Sequence, residues 1–218
     1  MGALLLSTFT QAIVDARSLW RELTNEKSGG ATTGVVPDTV VDVYIGLGLK
    51  ALNELIKYHY ADVAVNLVAE QQEYTLPGDF VEAFHLTWNG IELQRSSLAE
   101  WRRNNLRWQQ EVSEGALGEW AVYRDQLVLR PKPSAAAVSA ASTAILRYVS
   151  TPPALAVGGL EQLLSQHQFI PVYKGVSIWS SSHPDSMTAQ MRSQYYEQQF
   201  MAEAEKVAAF YQVREVSR

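Results

Sequence analysis

The chain has 218 residues, 47% of them hydrophobic and 19% charged, which suits one large or two small folded domains and excludes disorder over most of its length. The net charge of −5 gives no global electrostatic reason to bind DNA or an anionic membrane. The chain has no cysteine, which excludes disulfides, thiolate zinc sites and cysteine nucleophiles.

The first predicted element is a helix from about Thr8 to Leu23, with Thr8 and Gln11 at the spacing of a capping box. One apolar stripe follows steps of three and four residues and comprises Phe9, Ile13, Ala16, Trp20 and Leu23. We expect this stripe to lie in the core, and docking on a partner subunit is the alternative. The opening MGALLLSTFTQ has neither the basic start nor the long apolar run of a signal peptide. No stretch reaches the ~20 apolar residues of a membrane span, so we expect no membrane partner.

A second and stronger helix is predicted from residue 38 to residue 60, with Asp38 as its cap. The glycine-rich residues 25–37 before it are predicted to form a flexible connection. Two apolar rows follow helical spacing: Val40, Val41, Tyr44, Leu47, Ala51, Leu55 and Tyr58 in the first, and Ile45, Leu49, Leu52 and Ile56 in the second. A helix with apolar residues on more than one side is typical of a central, buried position.

From residue 62 to about residue 150 the apolar period changes from 3.6 to two, which predicts strands. We expect them at residues 63–67, 73–76, 81–88, 91–93, 120–123, 127–130 and 144–149. Asn89-Gly90 is typical of a type I′ hairpin turn, and residues 124–126 are predicted to turn a second hairpin.

A short helix near residues 97–107 is predicted between the hairpins, because Ser97 and Glu100 have the spacing of a capping box. The segment SAAAVSAASTA, residues 134–144, is predicted to be an exposed hairpin connection, since Ser, Thr and Val weaken its helical tendency. The helical period then returns, and it predicts a short helix at 160–164, a helix at 171–181 and a long final helix at 186–213.

This order of elements predicts an α+β fold. Two N-terminal helices and the C-terminal helices form a bundle from residues 1–61 and 154–218. An antiparallel β-rich subdomain, residues 62–153, is inserted into the bundle, and its two ends must therefore lie close together.

The search for catalytic chemistry finds no strong motif. The four histidines include no HExxH pattern, and GxSxG, GxxxxGK[ST] and GxGxxG are absent. His85 is expected to be a hydrogen-bonded sheet residue rather than a metal ligand. We therefore expect no catalytic residue, metal or cofactor, and the protein is predicted not to be an enzyme.

One segment, WRRNNLRWQQ, combines basic and aromatic residues as a nucleic-acid-binding helix does. In that alternative the following side chains stack on and clamp a strand: Trp101, Arg102, Arg103, Arg107 and Trp108. In the competing interpretation Trp101 is core and the arginines pair with Glu92, Glu100 or Glu111. The acidic net charge counts against binding.

Several segments in fixed order resemble bacteriophage head-to-tail adaptor proteins, also called connector or tubular proteins of short-tailed phages. They are EYTLPGDF, TWNGIEL, SSLAEW, GEWAVYRDQLVLRPKP and ILRYVSTPP, preceded by the helix VVDVYIGLGLKALNEL. The resemblance covers residues 8–153 and, more loosely, the C-terminal helices. Residues 134–144 and the segment GGLEQLLSQHQF are longer than the family's pattern.

The resemblance implies a virion structural protein at the neck, assembled in the host cytoplasm. Twelve identical subunits would form a ring between the portal protein and a tail or nozzle protein, through which double-stranded DNA passes without sequence-specific binding. Ring interfaces of this kind are apolar and have aromatic anchors. We expect contacts with subunits or partners at Trp20, Trp88, Asn89, Gly90, Trp101, Arg103, Trp108, Trp120 and Tyr211.

Overall fold

The computed structural model describes residues 2–24, 36–104, 114–155, 158–160, 163–183 and 187–216. In this part of the chain the helices are α1 (Gly2–Thr24), α2 (Asp38–Ile56), α3 (Leu98–Asn104), α4 (Ala135–Ala140), α5 (Ile170–Ser182) and α6 (Met187–Val216). The strands are β1 (Tyr60–Asn66), β2 (Glu73–Thr75), β3 (Phe80–Trp88), β4 (Ile91–Glu92), β5 (Gln94–Arg95), β6 (Glu114–Gly115), β7 (Glu119–Tyr123), β8 (Gln126–Arg130), β9 (Lys132–Pro133) and β10 (Thr143–Ser150). The fold is α+β, as predicted.

The chain divides into two compact units. A helical unit comprises Met1–His59 and Thr151–Arg218, and a β unit comprises Tyr60–Ser150.

The core of the helical unit brings together one face of each of the four α-helices described there. The predicted α1 stripe is core where its side chains are described, with Ile13, Ala16 and Trp20 buried. The remaining buried apolar side chains include Val41, Ile45, Leu49, Leu52 and Ile56 of α2, Ile170, Val172 and Val176 of α5, and Phe200, Ala204 and Val207 of α6. Leu155, Leu160 and Leu163 of the connecting segment complete this cluster.

Helix boundaries in this unit differ from the sequence prediction. α1 begins at Gly2, so Thr8 lies inside the helix and is not its cap. Pro37 takes the cap position of α2, and Asp38 is the first helical residue. α2 ends at Ile56 rather than at residue 60, because Lys57 has a left-handed φ of 49° and its N–H donates to the Asn53 carbonyl.

The predicted helix at 160–164 is wrong for the residues that the structure describes there. Residues 158–160 form a turn, and a short 3-10 helix spans Ser165–His167 instead. The predicted connection at 25–35 lies outside the described residues.

The β unit contains two four-stranded sheets. One sheet has the order β1-β10-β3-β4 and is antiparallel throughout. The other has the order β2-β8-β7-β5, and its β5–β7 pair is parallel, as is the separate β6–β9 pair. The subdomain is therefore mainly antiparallel, as predicted, and these two short pairs are its parallel ones.

One hydrophobic cluster joins the two sheets. It contains Leu86 and Leu146 of the first sheet together with Trp120, Leu127 and Leu129 of the second. A smaller cluster of Trp101, Ala121 and Val128 lies under α3. Tyr60 pairs with Val149, so the two ends of the β unit are neighbours in adjacent strands, as predicted.

Both predicted hairpins are present. Asn89 and Gly90 have φ values of 50° and 75°, the two positive values that a type I′ turn requires. In the second hairpin Tyr123 pairs with Gln126, so the turn contains only Arg124 and Asp125 rather than three residues.

The two short helices of the β unit are capped by serine. Ser97 caps α3 as predicted: its hydroxyl accepts from the Glu100 N–H at 3.2 Å, and its own N–H donates to the Glu100 carboxylate at 2.8 Å. The prediction that residues 134–144 form a non-helical connection is wrong. Ser134 caps α4 there, and Ala137 is buried in the cluster between the sheets.

Candidate assembly surfaces

Two polar networks hold α1 against α2 and α5 against α6. Arg17 contacts the carboxylates of Asp42 at 2.6 Å and Asp38 at 3.2 Å, and Arg21 also pairs with Asp38. The hydrogen bond to Asp42 raises the pKa of Arg17, and the hydrogen bond from Arg21 lowers the pKa of Asp38. These pairs hold the first half of α2 to α1.

The second network fixes the inner face of α6. Lys174 lies 2.5 Å from the Glu197 carboxylate, to which the Ser177 hydroxyl also donates at 3.0 Å. The Tyr173 and Tyr196 rings stack 5.8 Å apart, and burial raises the pKa of both tyrosines. These contacts decide which face of α6 turns inward.

The opposite face of α2 is apolar and exposed. We define the α2 stripe as Val40, Val43, Leu47 and Leu55, which are 38%, 61%, 39% and 44% exposed. At about 100° per residue these four side chains fall within one third of the helix circumference, and they extend over about 22 Å. The prediction that α2 is buried on all its apolar sides is therefore wrong: the second row is buried, and much of the first row is not.

A comparable surface lies on α6. We define the α6 stripe as Met187, Met191, Tyr195 and Met201, of which Met187 is 77% exposed. Helical geometry places this stripe on the side of α6 opposite Phe200, Ala204 and Val207, and it extends over about 21 Å. Methionine adapts its shape to a partner and is common at binding surfaces.

These stripes are candidate contact residues that the sequence analysis missed. Single exposed apolar side chains are normal, but contiguous apolar rows on a helix mark interaction sites. The two apolar rows of α2 were the available signal, because one helix in a small bundle rarely has room to bury both.

Four of the nine predicted contact residues pack inside their own units. Trp20 and Trp120 are fully buried, and Trp101 is 1% exposed. Trp88 is also buried, and its indole N–H donates to the Ala141 carbonyl at 2.9 Å. None of these four rings lies on the surface of its unit.

The other predicted contact residues fall into two groups. Asn89, Gly90 and Arg103 are exposed, and a contact role for them stays a prediction. Trp108 and the side chain of Tyr211 lie outside the described residues.

Trp101 is the first of the residues that would stack on a base in the nucleic-acid alternative, and its contacts argue against that role. The Trp101 indole N–H donates to the Glu119 carboxylate at 2.8 Å, and the Arg130 guanidinium lies 5.9 Å from the ring centroid. A ring held in this way is not available to stack on a base.

The ionisable groups with shifted pKa values are structural. Burial, followed by the 2.9 Å hydrogen bond to Asp79, raises the pKa of Tyr148 to about 12. Burial lowers the pKa of His167. Within the described residues, no three His, Asp or Glu side chains come together as metal ligands would. No helix in that part of the chain is both long enough and apolar enough to cross a membrane.

Residues 8–216 match the family model of the SU10 adaptor protein, and no curated protein shows a significant match. The match covers nearly the whole chain, so the chain belongs to the SU10 adaptor protein family. This result confirms the resemblance to bacteriophage head-to-tail adaptors. The protein is a phage adaptor, a component of the virion that associates with other virion proteins, and its family is a structural one rather than an enzyme family.

Proposed function

We propose that this adaptor forms a closed ring of identical subunits at the neck of the virion, where it joins the portal protein to a tail or nozzle protein. A ring of twelve is the expected copy number. The observation that carries this proposal is the pair of exposed apolar stripes on one helical unit. A cyclic ring needs two different complementary surfaces on each subunit, and the α2 and α6 stripes are two such surfaces.

The stripes suit each other in length and character. Both extend over about 20 Å, and the β-branched and leucine side chains of α2 form a firm ridge against which methionines can adapt. Thr188, Gln190, Gln194 and Gln198 on the exposed side of α6 are neutral, so this part of α6 brings no unpaired charge into the contact.

The ring would also form part of the DNA conduit. The net charge of −5 favours passage of the DNA rather than its binding to the ring, because an acidic wall weakly repels a DNA duplex. The duplex passes through without base-specific contacts, and the subunit needs no catalytic group.

The proposal is tested by one charged substitution in each stripe. Leu47→Asp and Met191→Asp should each leave the subunit folded, because both side chains are exposed, and each should abolish rings in electron micrographs. Val68→Asp is the matched control, since Val68 is a similarly exposed apolar residue outside both stripes. It should assemble as the wild type does.

Mixing the two variants sharpens the test. Leu47→Asp retains an intact α6 stripe and Met191→Asp an intact α2 stripe, so the mixture should form a 1:1 dimer and stop there. Sedimentation analysis distinguishes this dimer from the separate monomers. Normal rings from either variant alone, or phage necks imaged without a ring of this protein, would contradict the proposal.

A further inference from the structure

The outer edge of β1 presents backbone hydrogen-bonding groups with no partner strand. β1 is the terminal strand of its sheet, and in the described part of the chain it pairs only with β10. The Leu67 N–H donates to the Ser142 carbonyl at 2.8 Å, which continues the β1–β10 register. Hydrogen-bonded and non-hydrogen-bonded positions alternate in such a pair. The N–H and C=O groups of Asp62, Ala64 and Asn66 therefore point away from β10.

This edge lacks most of the features by which proteins usually protect an edge strand. β1 has seven residues, none of them proline, lysine or glycine, and its single charged side chain, Asp62, pairs with Arg147 of β10 at 3.4 Å. The other sheet edges are short: β4 and β5 have two residues each, and β2 has three. On the outer side of β3, β4 pairs with Thr87 and Trp88, and the Arg95 guanidinium donates to the Ala83 carbonyl at 2.8 Å. Natural edges are shortened or blocked because open ones recruit strands, so a long open edge is a recruitment site.

A cleft of about 330 Å³ lies beside the same edge. Its walls are residues 63–66 of β1 and residues 74–77, which include the end of β2. Its floor includes the buried side chains of Leu127 and Leu146. The cleft is too small for a helix about 10 Å across, but it accommodates aliphatic side chains.

The edge and the cleft select the same kind of ligand. Val63 and Val65 point towards the cluster between the sheets. Side chains alternate across a strand, so a strand added beside β1 would place every second side chain on that same side, into the cleft. Main-chain hydrogen bonds would supply affinity, and the cleft would select aliphatic residues at alternate positions.

The occupant follows from the symmetry of the proposed ring, and this step rests on the proposed function. Pairing of β1 with β1 of a second copy is a two-fold contact, whereas all contacts in a larger cyclic ring are heterologous. The other described edges of the chain are too short to match a seven-residue strand. No described edge of this chain is left as the occupant, so the site is assigned to a segment of a different protein.

We infer that the outer edge of β1 and its cleft bind an extended segment of another virion protein, which adds to the sheet as a strand and inserts alternate aliphatic side chains. The adaptor therefore has a second contact surface, in its β unit, that does not depend on the stripes of the helical unit.

The test uses the full chain and the peptide acetyl-KVTVTVK-amide, which alternates valine with polar residues. Backbone NMR of the labelled protein should show saturable shifts at Asp62, Ala64 and Asn66. Ala64→Pro removes an N–H that faces outward from the sheet, so the fold is retained and binding falls by about tenfold. Ala64→Thr keeps that N–H and should bind within about twofold of the wild type.

A second measurement does not depend on any protein variant. The same peptide with N-methyl groups on alternate amides cannot form the ladder and should not bind. The inference is overturned by equal binding of the methylated peptide, by wild-type affinity in Ala64→Pro, or by the absence of saturable shifts. A wild-type dimer that dissociates in Ala64→Pro would replace the partner segment with a second copy.

Ring assembly separates the two proposals. Ala64→Pro should form normal rings, and Leu47→Asp should bind the peptide normally. If rings form but no peptide binds, the β1 inference fails alone. If the peptide binds but neither stripe affects assembly, the ring proposal fails, and the identity of the β1 occupant must be decided by the dimerisation measurement.

Discussion

Gly48 of α2 lies directly against the backbone carbonyl of Pro171 at the start of α5. A Cβ atom at Gly48 would overlap that carbonyl oxygen, and a Cβ atom at Gly175 would lie 2.8 Å from the Tyr44 carbonyl oxygen. Each helix thus contributes one glycine to a contact between backbones. The close approach brings α2 and α5 together without intervening side chains, in the helical unit that carries the two stripes.

This contact predicts opposite effects for two neighbouring glycines. Gly48→Ala should lower the free energy of unfolding by ~1–3 kcal/mol, because the methyl group must push two backbones apart. Gly46→Ala is the control: no atom lies within 4 Å of its Cβ position. It should raise the free energy of unfolding by up to ~1 kcal/mol through helix propensity. Urea denaturation measures both, and a Gly48→Ala protein as stable as the wild type would show that the helices are further apart.

The two faces of α2 should respond differently to the same substitution. Leu52 is fully buried, so Leu52→Ala should cost ~2–5 kcal/mol of stability. Leu55 is 44% exposed, so Leu55→Ala should change monomer stability by at most ~0.5 kcal/mol and weaken assembly instead. Thermal unfolding of the monomer and sedimentation of the assembled protein separate the two effects. Equal destabilisation of the monomer by both changes would contradict the exposed stripe.

Tyr148 should make the β unit sensitive to alkali. Its pKa rises from 10.0 to about 12 on folding, chiefly through burial and then through Asp79. A raised folded pKa means that the stabilisation is complete below pH 10 and is lost as the pH rises through about 12. Tyr148→Phe removes the ionisable group, so its free energy of unfolding should fall less steeply over this window. An unchanged slope in Tyr148→Phe would assign the alkaline loss to other groups.

The ion pairs of Asp38 should make the stability of the protein depend on pH in the acid range. The hydrogen bond from Arg21 is the main cause of its lowered pKa. A lowered folded pKa means that the stabilisation is present above the ordinary value of 3.8 and is lost as the pH falls through the folded value. Asp38→Asn should cost up to ~1 kcal/mol near neutral pH and flatten the acid limb of the stability curve.

Glu54→Gln on the same helix is the comparison for Asp38, because the Glu54 carboxylate pairs with no residue in the described part of the chain. Its free energy of unfolding near neutral pH should stay within ~0.5 kcal/mol of the wild type. If Asp38→Asn and Glu54→Gln have the same free energy of unfolding, the link between α1 and α2 does not depend on Asp38.

The sequence predicted those turns and helix caps that depend only on a few neighbouring residues. Asn89-Gly90 specifies its turn because few other residue pairs tolerate two positive φ values. Ser97 and Glu100 specify the start of α3 because their side chains satisfy the free N–H groups there. The end of α2 at Ile56 was not readable in this way, since apolar spacing continues to Tyr58 while Lys57 has already left the helix.

Helix α4 is an element that the local sequence did not predict. Ser134 could have been recognised as a cap, but serine and threonine within the segment argued for a loop. Ala137 packs into the cluster between the sheets, and this tertiary contact outweighs weak intrinsic propensity.

The sequence by itself determined the α+β class, the turns and caps, and the resemblance to phage adaptors, because each depends on residues close together in the chain or on their order. Only the tertiary structure decided which apolar residues remain outside. Burial depends on what packs against a helix face. Leu52 and Leu55 both belong to apolar rows with helical spacing, but Leu52 is buried and Leu55 is exposed. Trp20, Trp88, Trp101 and Trp120, which were predicted to be contact residues, lie in the cores, and valine, leucine and methionine form the exposed apolar stripes.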